Sequence, residues 1–276
     1  MVSTSKISPI LTPGQWAFWD DNGYLVLPKH FTPEQMQAVL DEVQHFWDRS
    51  RHETMKTVVD IYIATARERR VRLHDAPDDA RNQPYKLNDL FLESTVVQNV
   101  VLEDTLARIV AELVEGEPLC CNSLNFEYGS QQLYHTDSIF MTPPHELHLA
   151  ASWIALEDCH PDAGPLRYYP GSHKIKPFVF STGSLHFVDS EMGKYREYME
   201  RELERLKLKE EVFCAKTGDV FIWHSQLFHG GSPINDSSRT RKSLVTHYFR
   251  AQDLQCEMRK VGEVGYLQVR DPQPVN

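Results

Sequence analysis

Three residues in this 276-residue sequence have the types and spacing of a mononuclear metal site. His135 and Asp137 stand two apart in Leu133-Tyr134-His135-Thr136-Asp137-Ser138-Ile139-Phe140. In an extended segment residues i and i+2 face the same side, so this imidazole and carboxylate emerge together and can share one cation. His229 follows in Leu227-Phe228-His229-Gly230-Gly231-Ser232, where glycines would let the backbone approach a cofactor closely. Two imidazoles and one carboxylate on one face of an octahedral Fe(II) leave three positions for a cosubstrate and dioxygen. Arg241 then opens a strand-like segment, and a guanidinium there can fork onto the far carboxylate of a metal-bound 2-oxo diacid.

Other residues compete for these roles. With 13 His and 39 acidic residues, a His-x-acid pair is expected by chance, and His160-Pro161-Asp162 is a second one. It sits in a Pro- and Gly-bearing turn where strand alternation does not hold, so it reads as a surface loop. His224 lacks the glycine pair that follows His229 and is read as supporting the site or the fold. His247 lies on an expected strand and is read as a core histidine with its hydrogen bonds satisfied. His173 follows Pro-Gly-Ser and is expected to fix that turn by hydrogen bonds. Asn125, Gln132 and Trp153 lie on or beside expected core strands, from which they either contact the cosubstrate or line the barrel.

The elements that must position these residues are of two textures. Thr12-Pro13 opens a helix stopped by Asn22-Gly23, Tyr24–Leu27 is a short apolar strand, and Thr32-Pro33-Glu34 opens a helix to about Trp47. Residues 51–88 are charged and poorly periodic, with Arg67, Arg69, Arg70 and Arg72 clustered, and read as a mobile insert or lid; the arginines either attract an anionic substrate or pair with Asp75, Asp78 and Asp79. A helix near 96–115 follows. From Cys121 the chain breaks into strand-like segments at 122–128, 133–141, 147–156, 165–169, 211–215, 219–223, 228–232 and 243–249, interrupted by one helix from Glu191 to about Leu206. Some eight short strands suggest a sandwich or jelly roll, with the N-terminal helices packed on one outer sheet face. The expected organisation is one domain over 1–276. It comprises a helical N-terminal part at about 11–115, a jelly-roll core at about 121–250, a helical insert at about 189–207 and a C-terminal tail at 251–276.

Composition narrows the function classes. The chain is 41% hydrophobic and 11% aromatic, enough for a sizeable core. A net charge of -10 gives the wrong field for nucleic acid or anionic lipid, and small-molecule work is favoured. No apolar run approaches a membrane span or a signal core, so a cytoplasmic protein is expected. Cys120, Cys121, Cys159, Cys214 and Cys256 form no Cys-x-x-Cys pair and read as reduced, mostly buried thiols. No residue pattern points to an oligomeric state.

The sequence resembles the phytanoyl-CoA dioxygenase (PhyH) family of Fe(II)/2-oxoglutarate oxygenases from about Leu11 to Arg250. The family's His-x-Asp matches His135-Thr136-Asp137, its Gly-Pro-Leu and Pro-Gly-Ser-His match Gly164-Pro165-Leu166 and Pro170-Gly171-Ser172-His173, and its late His-Gly matches His229-Gly230. Its Arg-Lys matches Arg241-Lys242, and its early aromatic-x-x-x-Gly-Tyr-x-x-x-Pro element matches Trp19, Gly23, Tyr24 and Pro28. The resemblance implies a double-stranded β-helix (cupin-like jelly-roll) core, mainly β with flanking α. It further implies Fe(II) on His135, Asp137 and His229, and 2-oxoglutarate anchored by Arg241, with Arg239 as the rival anchor because the intervening loop departs from the common form. The implied activity is a dioxygenase that consumes O2 and 2-oxoglutarate, releases succinate and CO2, and hydroxylates a C–H of a small organic molecule; an anionic substrate fits the arginine cluster. Halogenases of this chemistry lack the carboxylate, so Asp137 favours hydroxylation, desaturation or ring chemistry. The alternative is a non-catalytic or differently metallated cupin-like protein, holding Zn or Mn at the same ligands and binding a small anion. Substrate choice is expected to lie in 51–88 and in the 177–208 insert.

Overall fold

The computed structural model describes residues 9–145, 147–272 and 274–275. Helix α1 (Pro13–Asn22) and helix α2 (Pro33–Arg49) begin as their sequences dictate. In each, a threonine (Thr12, Thr32) accepts from the backbone N–H three residues on, while Gln15 or Gln35 reaches back to the threonine's N–H, and proline takes the first helical position. Gly23 ends α1 at φ 77°, a left-handed conformation that costs glycine nothing. Strand β1 (Tyr24–Leu27) then leads into α2, whose Met36, Val39, Val43, Phe46 and Trp47 form a buried stripe. Each such side chain contributes roughly 1.5–3 kcal/mol by leaving water.

Residues 51–88 are not a lid. They form three four-residue strands, β2 (Val58–Ile61), β3 (Arg69–Arg72) and β4 (Tyr85–Asn88), whose shortness and charge hide the two-residue alternation. The single helix expected near 96–115 is two, α3 (Thr95–Val101) and α4 (Asp104–Leu113), because Glu103 caps a new start by accepting from Leu106 N–H. Strand β5 (Pro118–Phe126) starts earlier than expected. After it the expected strand at 133–141 is absent: His135 makes one bridge and Asp137–Ile139 is a 3-10 turn. The remaining elements are β6 (Leu149–Ala155), β7 (Leu166–Tyr168), α5 (Met192–Leu206), β8 (Glu211–Phe213), β9 (Val220–His224), β10 (His229–Gly231) and β11 (Ser243–Arg250). The C-terminal segment is no loose tail, since β12 (Met258–Val261) and β13 (Gly265–Gln268) form a hairpin and β13 pairs parallel to β5.

The large sheet runs β1-β9-β6-β11-β5-β4-β2-β3, with β13 and β12 attached beside β5, and a small sheet runs β10-β7-β8. The part expected to be helical thus supplies four strands of the barrel. One face of the large sheet buries Leu25, Ile222, Ile154, Leu244 and Leu87 against α2, α3 and α4. The opposite face packs Phe221, Trp223, Ala151, Trp153 and Val245 against Leu166 and Tyr168 of the small sheet. This is the jelly-roll layering, helices outside and the site between the sheets.

Candidate active site

His135 and His229 exchange backbone hydrogen bonds, His135 N to His229 O at 2.9 Å and His229 N to His135 O at 3.0 Å. The glycines after His229 make that approach possible. A Cβ on Gly230 would lie 2.9 Å from Gln132 O, and one on Gly231 would lie 2.7 Å from Gln131 N. The close contact seen is with the chain segment before His135, and both glycines also line the cavity beside the histidines. Each imidazole is fixed in one tautomer by its own chain: His135 Nδ1 donates to Leu133 O at 2.8 Å and His229 Nδ1 to Leu227 O at 2.9 Å. Carbonyls only accept, so both Nε2 atoms carry lone pairs, and both face Asp137 Oδ1, at 3.5 and 3.7 Å.

Asp137 reaches this point because Thr136 is extended (φ -110°, ψ 142°) before the 3-10 turn begins. Helix α5 holds that bend from behind: Tyr195 Oη accepts from Thr136 N at 3.0 Å. The 189–207 insert is thus a support for the site, packed through Tyr195, Met199 and Leu203 against Ile139 and Phe228. The other carboxylate oxygen, Oδ2, accepts from the Trp223 indole at 2.7 Å and lies 3.5 Å from His247 Nε2.

One donor atom from each of His135, Asp137 and His229 falls within 4.8 Å of the others, and all three residues are buried. Burial drives the His229 imidazole down to about 4, leaving it a neutral ligand at neutral pH. Burial also opposes the Asp137 charge, but the imidazoles of His229, His247 and His135 packed around it hold the carboxyl well below the usual range. Two imidazole nitrogens and one carboxylate oxygen this close together form a donor set for a divalent cation.

The same cavity is lined by Gln132, Trp153, Gly231, Val245 and Arg241. Arg241 is 3% exposed and donates to Gly164 O at 3.0 Å, while its Nε has no partner. Burial lowers it only to about 10, so it stays cationic, yet no ion pair involves it among the described residues. Trp153 Nε1 is buried and likewise unpartnered, 5.5 Å separating the guanidinium from its ring. A buried cation without a counter-ion, facing a donor set for iron, fits a cosubstrate with a far carboxylate. The rival Arg239 is half exposed and pairs with Asp236 at 2.9 Å, outside the cavity.

The structure separates other sequence expectations. Asn125 stands on the opposite face of the sheet, in register with Leu244 and Leu87, and lines no part of the site. Strand alternation decides this, since Leu124 and Phe126 take the inward positions. His160 and Asp162 are exposed on their loop, 3.6 Å apart. His224 packs against Trp19 and His173, and His173 donates to Asp20 O at 3.1 Å. His247 is no ordinary core histidine: it lines the site and its Nδ1 bonds Asn122 Oδ1 at 2.9 Å. Its alternation with Ser243 and Val245 was the signal, and Trp223 shows the same phase relation to Phe221. Of the cysteines, Cys120, Cys121 and Cys159 are buried, Cys214 is exposed and Cys256 is intermediate.

Comparisons with known proteins agree with this architecture. The family model described as Phytanoyl-CoA dioxygenase (PhyH) matches residues 19–243. No curated protein matches the sequence. Among solved structures, the non-heme α-ketoglutarate-dependent carbocyclase SnoK from nogalamycin biosynthesis has TM-score 0.65 at 16% identity, covering 88% of this chain and 85% of its own. EctD from S. alaskensis with 2-oxoglutarate and 5-hydroxyectoine has TM-score 0.62 at 16% identity, covering 99% and 84%. HygX from Streptomyces hygroscopicus with nickel and 2-oxoglutarate has TM-score 0.57 at 18% identity, covering 94% and 97%.

Proposed function

The chain belongs to the phytanoyl-CoA dioxygenase family, and from that premise we propose that His135, Asp137 and His229 hold Fe(II) while Arg241 anchors 2-oxoglutarate. The protein is an Fe(II)- and 2-oxoglutarate-dependent dioxygenase acting on a small molecule. When bound, iron and 2-oxoglutarate supply dioxygen activation, with succinate and CO2 released as one oxygen atom goes to a substrate C–H. The residues' own work is positional. The two Nδ1–H donations aim both imidazole lone pairs at one point, and Trp223 holds Oδ2 of Asp137 so that Oδ1 alone turns inward. Arg241 fixes the far end of the cosubstrate, and Trp153 and Gln132 flank it. The buried walls keep water from the reacting centre.

The observation that carries this reading is the pairing, in one cavity, of a three-donor cluster with a buried guanidinium that has no counter-ion among the described residues. An anaerobic titration with Fe(II) and then 2-oxoglutarate tests it: a weak visible charge-transfer band is expected, and it should vanish in Asp137→Ala. Binding of Zn(II) or Mn(II) with no response to 2-oxoglutarate would instead favour a cupin-like protein of other chemistry. Hydroxylation is the proposed outcome, because Asp137 occupies the position a halide would need. A cytoplasmic location is proposed as well, supported by five unpaired thiols and by the lack of any helix, among the described residues, long and apolar enough to cross a membrane.

A further inference from the structure

Outside the metal-binding cluster the site opens into a second, larger cavity of about 760 Å³, which shares His135, Asp137, His247 and Gln132 with the first. Three cations line it: Arg70 from β3, Lys86 from β4, and Arg270 just beyond β13. Asp137 is the one acid among the described residues that line it. All three cations come from segments outside the expected 121–250 core.

The carboxylates that pair with these cations stand behind them. Asp60 is 7% exposed and lies between Arg70 and Lys86 in the strand register, so the three side chains share a face. Arg70 Nε donates to Asp60 Oδ1 at 2.6 Å, Arg70 Nη2 to Oδ2 at 2.9 Å, and Lys86 Nζ lies 3.0 Å from Oδ2. Asp89, 3% exposed, accepts from Arg270 Nη2 at 2.7 Å, and the same nitrogen reaches Cys121 O at 3.0 Å. Among the described residues, two buried carboxylates thus brace three cations at a cavity wall, one positive charge in excess by that count. The inner cavity leaves nothing to cancel that excess, because Fe(II) and Arg241 together balance Asp137 and a 2-oxoglutarate dianion. The remaining lining includes Phe140, Met141, Phe187 and Phe249.

We propose that Arg70, Lys86 and Arg270 form an anion subsite, and that the substrate is a small organic anion, carboxylate- or phosphate-bearing, whose apolar part lies along this aromatic lining. The proposal rests on the dioxygenase reading above, since that reading makes the larger cavity the substrate's. It also divides the arginine cluster on β3 and the turn before it. Arg67 and Arg69 lie over the Tyr62 ring, at 3.9 and 5.4 Å, and Arg72 donates to Lys56 O. Alternation along β3 turns Arg70 to the site face and Arg69 away from it.

The test uses the full-length protein loaded anaerobically with Fe(II) and saturated with 2-oxoglutarate, so that Arg241 is already occupied. Benzoate and phenyl phosphate are titrated as anionic probes and benzamide as the neutral one, with binding read by calorimetry. The anions should bind more tightly than benzamide, and added salt should weaken only them. Arg70→Gln and Lys86→Gln are the variants of choice, because each leaves Asp60 one cationic partner. Each should weaken anion binding by about tenfold, the loss of one charge-assisted contact, while 2-oxoglutarate binding is unchanged. Arg70→Lys, which retains the charge, should restore most of the affinity and guards against a folding defect. Equal binding of benzamide and benzoate, no binding of either anion at millimolar concentration, or unchanged affinity in both Gln variants would each overturn the subsite. Failure of the Fe(II)/2-oxoglutarate band in the unmodified protein would instead count against the dioxygenase reading, and the calorimetric comparison separates the two failures.

Discussion

His135-Thr136-Asp137 and His160-Pro161-Asp162 have the same two-residue spacing and opposite fates. The first is bridged to His229, braced from behind by Tyr195 and locked to Trp223, and its side chains are 7% and 6% exposed. The second lies on a turn with its side chains 43% and 49% exposed, and its Asp162 backbone carbonyl serves only to accept from Asn235 and Asp236. Chemistry at this spacing therefore comes from what fixes the rotamers and removes the water, not from the pair itself. The arginines repeat the lesson. Arg241 is buried with no carboxylate partner among the described residues, while Arg239, two residues earlier, spends its charge on Asp236 in solvent.

The largest contrast is expected between the two pairs. His135→Ala, Asp137→Ala and His229→Ala should each reduce iron-dependent succinate formation by more than the roughly 10–100-fold that outer-sphere changes cost, with far-ultraviolet circular dichroism unaltered. His160→Ala and Asp162→Ala should stay within twofold of the unmodified enzyme, about what an exposed pair contributes. A loss in the second pair comparable to that in the first would break the comparison.

The arginine pair sharpens it. Arg241→Ala should raise the 2-oxoglutarate concentration for half-maximal turnover by about 30-fold or more, corresponding to roughly 2–5 kcal/mol for an unpaired buried carboxylate. Arg239→Ala should change it little, because an exposed pair contributes about 0–1 kcal/mol. Reversed results would move the anchor by two residues.

A smaller effect is expected at Trp223, which the exposed pair has no counterpart for. Trp223→Phe keeps an aromatic ring but removes the donor to Asp137 Oδ2, and metal affinity should fall by about 10-fold. Equilibrium dialysis with Ni(II) reads this without turnover, and unchanged affinity would reduce Trp223 to packing.

The smallest effect concerns a buried histidine outside the site. Burial, and then the neighbouring His173, push His224 down to about 3, whereas an unfolded histidine titrates near about 6.5. The unfolded chain therefore binds the extra proton first. Stability should be unaffected above pH 6.5 and should fall as pH drops toward 3, with a limiting slope of about 1.4 kcal/mol per pH unit from this group. In His224→Asn an amide oxygen can still accept from Gln226 N–H, as Nδ1 does at 3.0 Å. Its melting temperature should decline less steeply between pH 6 and pH 4 than that of the unmodified protein, measured by circular dichroism.

Features set by neighbours in the chain were legible in the sequence. The capping boxes at Thr12 and Thr32, the glycine stop at Gly23, the α5 helix and most strands follow from local patterns. So do the candidates His135, Asp137, His229 and Arg241, which the fold brings to one cavity, because their motifs combine residue type with short-range spacing. Features set by pairing partners were not legible. Strands β2, β3 and β4 are too short and too charged to show a period, and only their register against one another and β5 defines them. The face on which Asn125 lies depends on the phase of β5 against β11, and a shift of one residue inverts it. His247 reaches Asp137, and Arg70, Lys86 and Arg270 meet across a cavity, through contacts spanning from tens to about two hundred positions of sequence. By itself the sequence determined which side chains were available for chemistry and where local elements begin and end, since these depend on neighbouring residues. Which of those side chains are dry, paired and mutually aimed was decided by the tertiary structure, because burial and long-range register are properties of the packed sheets alone.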